Sequence, residues 1–398
     1  MQDLSTKLIK FYVSSFALII LLVLPTQAQV YNNNDNSAGA WGMKIFNVDS
    51  TVYPFVRVYA RTFDGNQNPL RNVNSQNVGI LVKGKTYSPF KNQYKVKTIK
   101  QAQVPVRTVL LIDASITMAG APFEETLRAA VNYIGEKEEK DQIAVIEMND
   151  SKIGYSVVSE FTDDSRLLGS RLGGMQPTAT QTKIYDSVGA ALQMCRAASG
   201  EGNSSSDASS FASCSLIIFS DGNDTGSALT RADLANAISN QSIPIPIHSL
   251  GYTKDFPIHL KNLQALSELS YGRYYDASES LGSMNSVVRN LQAIGKNDLL
   301  ITFRSYIPVD GEDHAFKVGV EYPAGSGSIN YGSGRFEAME SIPIPKVDIV
   351  KARLEKEIPM AEDNNPFYER NTASQQSNAE QVKLAADKED SKPWWEFW

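Results

Sequence analysis

The sequence predicts an α/β fold with a doubly wound, mostly parallel sheet, bracketed by an antiparallel module that resembles a β-sandwich. Within residues 104–296, nearly continuous apolar runs such as VPVRTVLLID, QIAVIEM and SLIIFSDG alternate with segments of helical apolar spacing. Residues 41–103 and 297–340 instead alternate apolar with polar side chains, which is typical of antiparallel strands with one wet face. These two patterns predict one parallel domain between two sets of antiparallel strands.

The composition allows more than one folded core and excludes one class of partner. The chain has 398 residues, of which 42% are hydrophobic, so two or three modules are expected. Its net charge is −6 and its pI is near 5.3, and Lys and Arg form no cluster of the kind that binds nucleic acid. We therefore expect no nucleic-acid partner.

The N-terminus predicts export. Lys7 and Lys10 precede the apolar run FYVSSFALIILLVLP, and small residues lead to Ala28. This order is typical of a secretory signal, so we expect residues 1–28 to be removed and the protein to be periplasmic, envelope-associated or secreted. The alternative is an uncleaved membrane anchor, since the flanks could lengthen the apolar run.

The flanking β segments are expected to form one module. Residues 29–40 are a polar extension, and strands begin soon after it. In residues 297–340, LLITFRSYIP and HAFKVGVEYP flank a turn at Asp310-Gly311 and predict a C-terminal hairpin. We expect this hairpin to complete the N-terminal β module; a separate small C-terminal module is the competing arrangement.

Oxygen-bearing side chains follow the strands of the α/β domain. Asp113, Ser115 and Thr117 come just after its first strand, Asp221 ends LIIFSDG, and Thr182 directly precedes a helix. The carboxyl ends of the strands are where open α/β sheets bind ligands, so we expect all five to converge there. Such a set without His or Cys suits a hard cation, Mg²⁺ first and Ca²⁺ or Mn²⁺ next. The alternatives are helix caps for Asp113, Ser115 and Thr182, and a simple turn at Asp221.

These residues carry a resemblance to a known family. Asp113-Ala-Ser115-Ile-Thr117, the distant Thr182 and Asp221 in FSDG resemble the Asp-x-Ser-x-Ser, Thr and Asp elements of von Willebrand factor A (VWA) domains with a metal-ion-dependent adhesion site. The resemblance covers about half of the chain, and the flanking β segments are similar to those of bacterial exported relatives. It implies binding of a protein partner whose carboxylate completes the coordination of the metal.

Two positions depart from the family pattern. Thr117 stands where Ser is usual and adds a methyl group beside the ion. Ile116 stands where many relatives have Gly, and a β-branched residue restricts the backbone of a tight loop. These departures predict weaker metal affinity, and a relative that binds no metal is the alternative.

The two cysteines are a candidate disulfide. The helix that carries Cys195 should run antiparallel to the strand that begins near Ser215, which brings Cys195 close to Cys214. An exported chain would meet an oxidising compartment, so we expect a bond between them. The alternative is two buried free thiols, because Cys195 shares a helical face with apolar residues.

The C-terminal segment, residues 341–398, is polar and predicted to be mostly disordered. It ends in KPWWEFW, and exposed aromatic patches usually contact something. The aromatic residues could anchor the tail at a membrane interface, dock into a groove or fold back onto the β module. These residues are Trp394, Trp395, Phe397 and Trp398.

Together these observations predict an exported binding or adhesion protein and not an enzyme. His248, His259 and His314 are widely separated and lack metal-ligand spacing or an adjacent nucleophile. No glycine-rich phosphate loop is present, since GGMQPTATQTK lacks the Gly-Lys-Ser/Thr ending. The alternatives are an assembly scaffold of the cell envelope, docked through the α/β domain and the aromatic tail, and a metal-dependent hydrolase.

Overall fold

A computed structural model of the chain describes residues 41–65, 68–199, 211–241, 244–254, 256–341, 343, 345–360 and 365–367. The predicted signal segment, the polar extension and the four C-terminal aromatic residues lie outside these ranges. None of the helices in the described part of the chain combines the length and the apolar character needed to cross a membrane.

The chain first forms five strands and a short helix. These elements are β1 (Trp41–Val52), β2 (Phe55–Asp64), β3 (Val78–Val82), β4 (Lys85–Tyr87), β5 (Tyr94–Thr98) and α1 (Ile99–Ala102). The Thr98 side chain accepts a hydrogen bond from the backbone N–H of Gln101, and the Gln101 side chain accepts one from Thr98 N–H, so a capping box starts α1.

The α/β domain follows as alternating strands and helices. Its elements are β6 (Arg107–Asp113), α2 (Ala121–Glu136), β7 (Gln142–Met148), β8 (Tyr155–Thr162), α3 (Ser165–Leu172), α4 (Ile184–Ser199), β9 (Cys214–Ser220), α5 (Arg231–Ser239), β10 (Ile247–Gly251), α6 (Leu260–Leu269), β11 (Tyr274–Asp276) and α7 (Met284–Asn297). The strands lie in the order β11-β10-β9-β6-β7-β8, and all neighbours are parallel except β7 and β8. The predicted fold class, a mostly parallel sheet flanked by antiparallel sheets, is confirmed.

Both faces of this sheet are buried, which explains the continuous apolar strands. In β6, Leu110 and Ile112 pack with α2, α3 and α7 in one cluster. Val109 and Leu111 pack with α4, α5 and α6 on the opposite face. Three helices therefore cover each face, as a doubly wound sheet requires.

The last strands return to the β module in two different sheets. They are β12 (Leu299–Arg304), β13 (Asp313–Glu321) and β14 (Ile329–Glu337). One sheet has the order β1-β2-β12-β5 and the other β14-β13-β3-β4. Strands from before and after the α/β domain thus pair with each other, and their apolar faces form one core. The exact domain boundaries stay a prediction.

The predicted hairpin between β12 and β13 is wrong. β12 pairs with β2 and β5, whereas β13 pairs with β3 and β14, so the connection crosses between the sheets. The backbone N–H groups of Asp310 and Gly311 both donate to the Ala338 carbonyl, at 3.2 and 3.1 Å. The Asp-Gly turn is therefore held by the end of β14, and the antiparallel hairpin is formed by β13 and β14.

A helix occupies part of the segment for which the sequence predicted mostly disorder. This helix, α8 (Pro345–Glu357), packs Val347 and Leu354 against Val52 and Phe55 of the β module. Ile358, just after the helix, is fully buried in the same cluster. The apolar residues are few but spaced to face one surface, which is enough for docking on an existing core.

Candidate metal centre

Asp113 ends β6 and is completely buried. Its Oδ1 accepts hydrogen bonds from Ser115 N–H at 3.0 Å and from Thr182 Oγ1 at 3.2 Å. Its Oδ2 accepts a hydrogen bond from Ser220 Oγ at 2.6 Å. Asp113 is therefore hydrogen-bonded to the loop after β6, to the loop before α4 and to the end of β9, all at the carboxyl edge of the sheet.

Ser115 and Thr117 place their hydroxyls side by side. Ser115 Oγ and Thr117 Oγ1 are 2.8 Å apart, and Ser115 is buried while Thr117 is exposed. Ile116 begins the short 3₁₀ turn Ile116–Met118, and its N–H donates to the Ala179 carbonyl at 2.8 Å. The β-branched residue is thus accommodated, with its side chain 56% exposed, and the turn aims both hydroxyls to one side.

Thr182 is fixed from two directions. Thr225 Oγ1 accepts a hydrogen bond from Thr182 N–H at 2.7 Å, and Thr225 N–H donates to the Thr182 carbonyl at 2.8 Å. The Asp150 carboxylate accepts hydrogen bonds from the N–H groups of Thr180 and Gln181, each at 2.9 Å. These contacts hold the loop in front of α4 so that the Thr182 hydroxyl points to Asp113.

Asp221 follows β9 and lies partly exposed beside Asp113. Its Oδ1 accepts a hydrogen bond from Asn223 N–H at 2.9 Å. Gly222 has a φ of 79°, and a Cβ there would lie 2.5 Å from the His259 carbonyl oxygen. Only glycine combines this backbone conformation with such a close approach, so Gly222 is required for the loop to turn here.

The electrostatics of the pair favour a bound cation. Burial raises the pKa of the Asp113 carboxyl, and the negative charge of Asp221 raises this pKa further. Hydrogen bonds from Ser220 and Ser115 lower the pKa but do not offset these effects. Among the residues that the structure describes, no ion pair joins a basic side chain to either carboxylate. A divalent cation would supply the missing positive charge.

Two of the hydrogen-bonded oxygen pairs are about as close together as adjacent ligands of a small hard cation. Adjacent ligands of an octahedral Mg²⁺ with bonds of 2.0–2.1 Å lie about 2.9 Å apart. The Ser115–Thr117 and Thr182–Asp113 oxygen pairs are 2.8 and 3.2 Å apart. Over the described ranges, no group of three or more His, Cys, Asp or Glu side chains is placed to hold a metal. The candidate set differs from such groups because three of its five members are hydroxyls.

The structure also bears on the local alternatives for Asp113, Ser115 and Asp221. The N-cap of α2 is Gly120, so neither Asp113 nor Ser115 caps that helix. Asp221 does make the local turn that the sequence allowed as an alternative. Asp224 accepts hydrogen bonds from Ser227 Oγ at 2.6 Å and Tyr185 N–H at 3.3 Å, so it orders its own loop.

Ser220 is the contact of Asp113 that sequence reasoning missed. It is the last residue of β9, is fully buried, and also accepts a hydrogen bond from Gly222 N–H at 3.1 Å. A hydroxyl at the end of an otherwise apolar strand, directly before Asp221, was a signal for it.

Comparison with known proteins agrees with these features. Residues 108–223 match the family model of the von Willebrand factor type A domain. This match spans Asp113, Thr182 and Asp221, so the stretch that carries the candidate site is similar to that family. No curated protein matches the chain.

Three similar solved structures also carry such domains. A von Willebrand factor type A protein from Catenulispora acidiphila is 12% identical, with a TM-score of 0.41 over 68% of this chain and 75% of that one. The VWA domain of SpRpn10 is 14% identical, with a TM-score of 0.36 over 48% of this chain and 98% of that one. The corresponding domain of the type V pili tip protein Mfa5 from Porphyromonas gingivalis is 14% identical, with a TM-score of 0.34 over 48% of this chain and 96% of that one.

Proposed function

We propose that the α/β domain is a metal-dependent binding module for a protein partner. A divalent cation, Mg²⁺ first and Mn²⁺ or Ca²⁺ next, would be held by Asp113, Ser115, Thr117, Thr182 and Asp221, directly or through water. The observation that carries this proposal is the fully buried Asp113 carboxylate, which faces a second carboxylate and has no basic counter-charge among the described residues.

The cation would supply one positively charged, solvent-facing position for a carboxylate of the partner. Asp113 and Thr182 are rigidly placed by β6 and by the Thr225 contacts, so they would fix the position of the ion. Thr117 and Asp221 are accessible and lie on the open side. We propose recognition rather than hydrolysis, because Asp113 and Asp221 would both be engaged as metal ligands and would not be free to act as general bases.

The experiment is calorimetric titration of Mg²⁺ and Mn²⁺ into the chelator-treated protein and its Asp113→Asn variant. We expect saturable binding that weakens at least tenfold in the variant, since the buried carboxylate supplies half of the formal ligand charge. Asp276→Asn is the matched control, because Asp276 ends β11 at the same edge of the sheet and bonds only locally, to Ser278 N–H at 2.9 Å. Absence of binding in a folded wild-type protein would overturn the metal proposal.

We also propose that the protein acts outside the cytoplasm. The basic and apolar N-terminal segment supports export, and the Cys195–Cys214 disulfide is stable in an oxidising compartment. The mature protein should begin at Gln29, which mass measurement of the protein isolated from its native cell would show. A protein that retains Met1 and is found in the cytoplasmic fraction would contradict export.

A further inference from the structure

Four exposed apolar side chains lie on the loops at the carboxyl edge of the parallel sheet. Ile153 follows β7, Ile116 follows β6, and Phe256 and Ile258 follow β10. Their exposed fractions are 56%, 56%, 64% and 59%. The strand order β10-β9-β6-β7 places the candidate metal site between them, so we call these four residues the apolar row.

The loop of Ile153 is tied to the site. Gly154, next in the chain, lies so close to the Lys183 side chain that a Cβ on it would be 2.3 Å from Lys183 Cδ. Asp150, on the same loop, binds the N–H groups of Thr180 and Gln181, immediately before Thr182. This side of the row therefore has a defined position relative to the metal ligands.

The loop of Phe256 is tied to the site from the opposite side. Gly222, which follows Asp221, packs against the His259 backbone, and the Asn262 side-chain amide donates to the Gly222 carbonyl at 2.9 Å. The Phe256 ring stacks on the His259 ring with centroids 5.8 Å apart and an interplanar angle of 28°. The N–H of Phe256 donates to Thr253 Oγ1 at 3.2 Å.

Phe256 is thus an aromatic side chain that is held in place while most of its surface faces solvent. Rigid aromatic side chains lose little conformational entropy on binding and are enriched among the residues that dominate interface energies. Its neighbour Ile258 adds apolar area on the same loop.

We infer that the partner carries a large apolar side chain close to its metal-binding carboxylate, and that this side chain packs on Phe256 and Ile258. The inference rests on the proposed metal-bridged function and names the chemistry of its partner. Strands lie about 4.8 Å apart, so the loop after β10 is about 10 Å from that after β6. An extended peptide rises about 3.3 Å per residue, which places the apolar side chain about two or three residues from the carboxylate.

Positively charged side chains on the same loops would favour a partner with an acidic segment. Lys152 and Lys254 are exposed, and each shares its loop with one side of the apolar row. Asp150 and Asp224 lie nearby, but both carboxylates already accept hydrogen bonds, Asp150 from Thr180 N–H and Asp224 from Ser227 Oγ. The lysines would favour encounter with an acidic partner even though the chain carries a net charge of −6.

The test uses a displayed library of random 12-residue peptides, selected on the immobilised full chain in Mg²⁺ and eluted with EDTA. We expect the eluted peptides to contain Asp or Glu with Phe, Trp, Leu or Ile two or three positions away. Selection on Phe256→Ser should keep the acidic residue but lose this apolar enrichment. Phe90→Ser is the matched control, because Phe90 is 69% exposed on the β module.

The outcomes separate the two proposals. EDTA-eluted acidic peptides without apolar enrichment, or with equal enrichment on Phe256→Ser, would overturn the apolar contact and leave the metal-bridged function intact. If wild type and Asp113→Asn yield the same peptides, or EDTA elutes none, the metal-bridged function fails and this inference fails with it. Binding of phosphatidylglycerol vesicles that is lost in Phe256→Ser would assign the row to a lipid surface and overturn the peptide partner.

Discussion

Two buried ionisable residues show how the same burial has different consequences for different groups. Asp113 is buried at the carboxyl edge of the sheet, beside Asp221, where its charge is unbalanced. His248 is buried at the opposite end of β10, where its Nδ1 accepts a hydrogen bond from Arg273 N–H at 3.0 Å. A neutral imidazole satisfies this contact, whereas a carboxylate needs a counter-charge.

His248 should make the protein sensitive to acid. Burial lowers the pKa of His248 to about 3, and the charges of Arg61 and Arg273 act in the same direction. The unfolded chain, with a His pKa of about 6.5, therefore takes up this proton first as the pH falls. The stability that the neutral imidazole contributes is complete above pH 6.5 and is lost progressively toward pH 3, by up to about 1.4 kcal/mol per pH unit.

We predict that His248→Asn reduces the slope of unfolding free energy against pH in this window. Asparagine keeps an acceptor for Arg273 N–H but binds no proton. Urea unfolding followed from pH 7 to pH 4 measures the slope. Equal slopes in the two proteins would show that other groups cause the acid sensitivity.

At the scale of elements, the candidate site is built from strand ends that the sheet holds in register. Asp113 pairs with Met148 of β7, and Ile112 pairs with Phe219 of β9. The two neighbouring strands therefore fix where the Asp113 and Asp221 carboxylates emerge, and the loops add the hydroxyls.

The disulfide connects two of these elements. Cys195, near the end of α4, is bonded to Cys214, the first residue of β9, across a sequence separation of 19. The bond limits the freedom of the intervening chain in the unfolded state. Both cysteines belong to the apolar core between the sheet and α4, which explains why Cys195 lies on an apolar helical face.

Reduction of this bond should lower the free energy of unfolding by about 3 kcal/mol in the loop-entropy description. Guanidinium unfolding with and without dithiothreitol measures the change. The double variant Cys195→Ala with Cys214→Ala is the control, because it should be insensitive to the reductant. A wild-type midpoint that does not move on full reduction would contradict the prediction.

At the scale of the whole molecule, ion pairs surround the end of α7, where the α/β domain leads into the β module. Arg61 of β2 forms two hydrogen bonds with the Asp298 carboxylate, at 2.8 and 2.7 Å, just after α7. Lys296, near the end of α7, contacts Asp141 at 2.7 Å and Glu138 at 2.9 Å. The end of α7 is thus fixed to both parts of the molecule.

We predict that Asp298→Asn destabilises the protein by about 3 kcal/mol or more, because Arg61 would remain buried with an unbalanced charge. Urea unfolding measures this change. Glu136→Gln is the control, since it breaks the exposed Arg289–Glu136 pair and should leave the midpoint close to that of wild type. A similar midpoint for both variants would show that the Arg61 pair does not stabilise the junction.

The sequence predicted the α/β class because strands buried on both faces do not alternate apolar with polar side chains, and β6 has four consecutive apolar residues at 0% exposure. It failed for the connection of β12 and β13, because two-residue alternation reports which face of a strand is wet and not which strand is its partner. It also assigned no helix at α8, because the few apolar residues of this helix stabilise it only by packing on the β module.

For the candidate site, the sequence alone determined the residue types, since Asp113, Ser115, Thr117, Thr182 and Asp221 are recognisable by order and by their place after strands or before a helix. Only the tertiary structure decided that Ser220 binds Asp113, and that Gly222 packs against His259. It also brought the Phe256 loop beside the same site. Local patterns encode secondary structure and exposure, whereas contacts between distant loops depend on how the sheet and its helices pack.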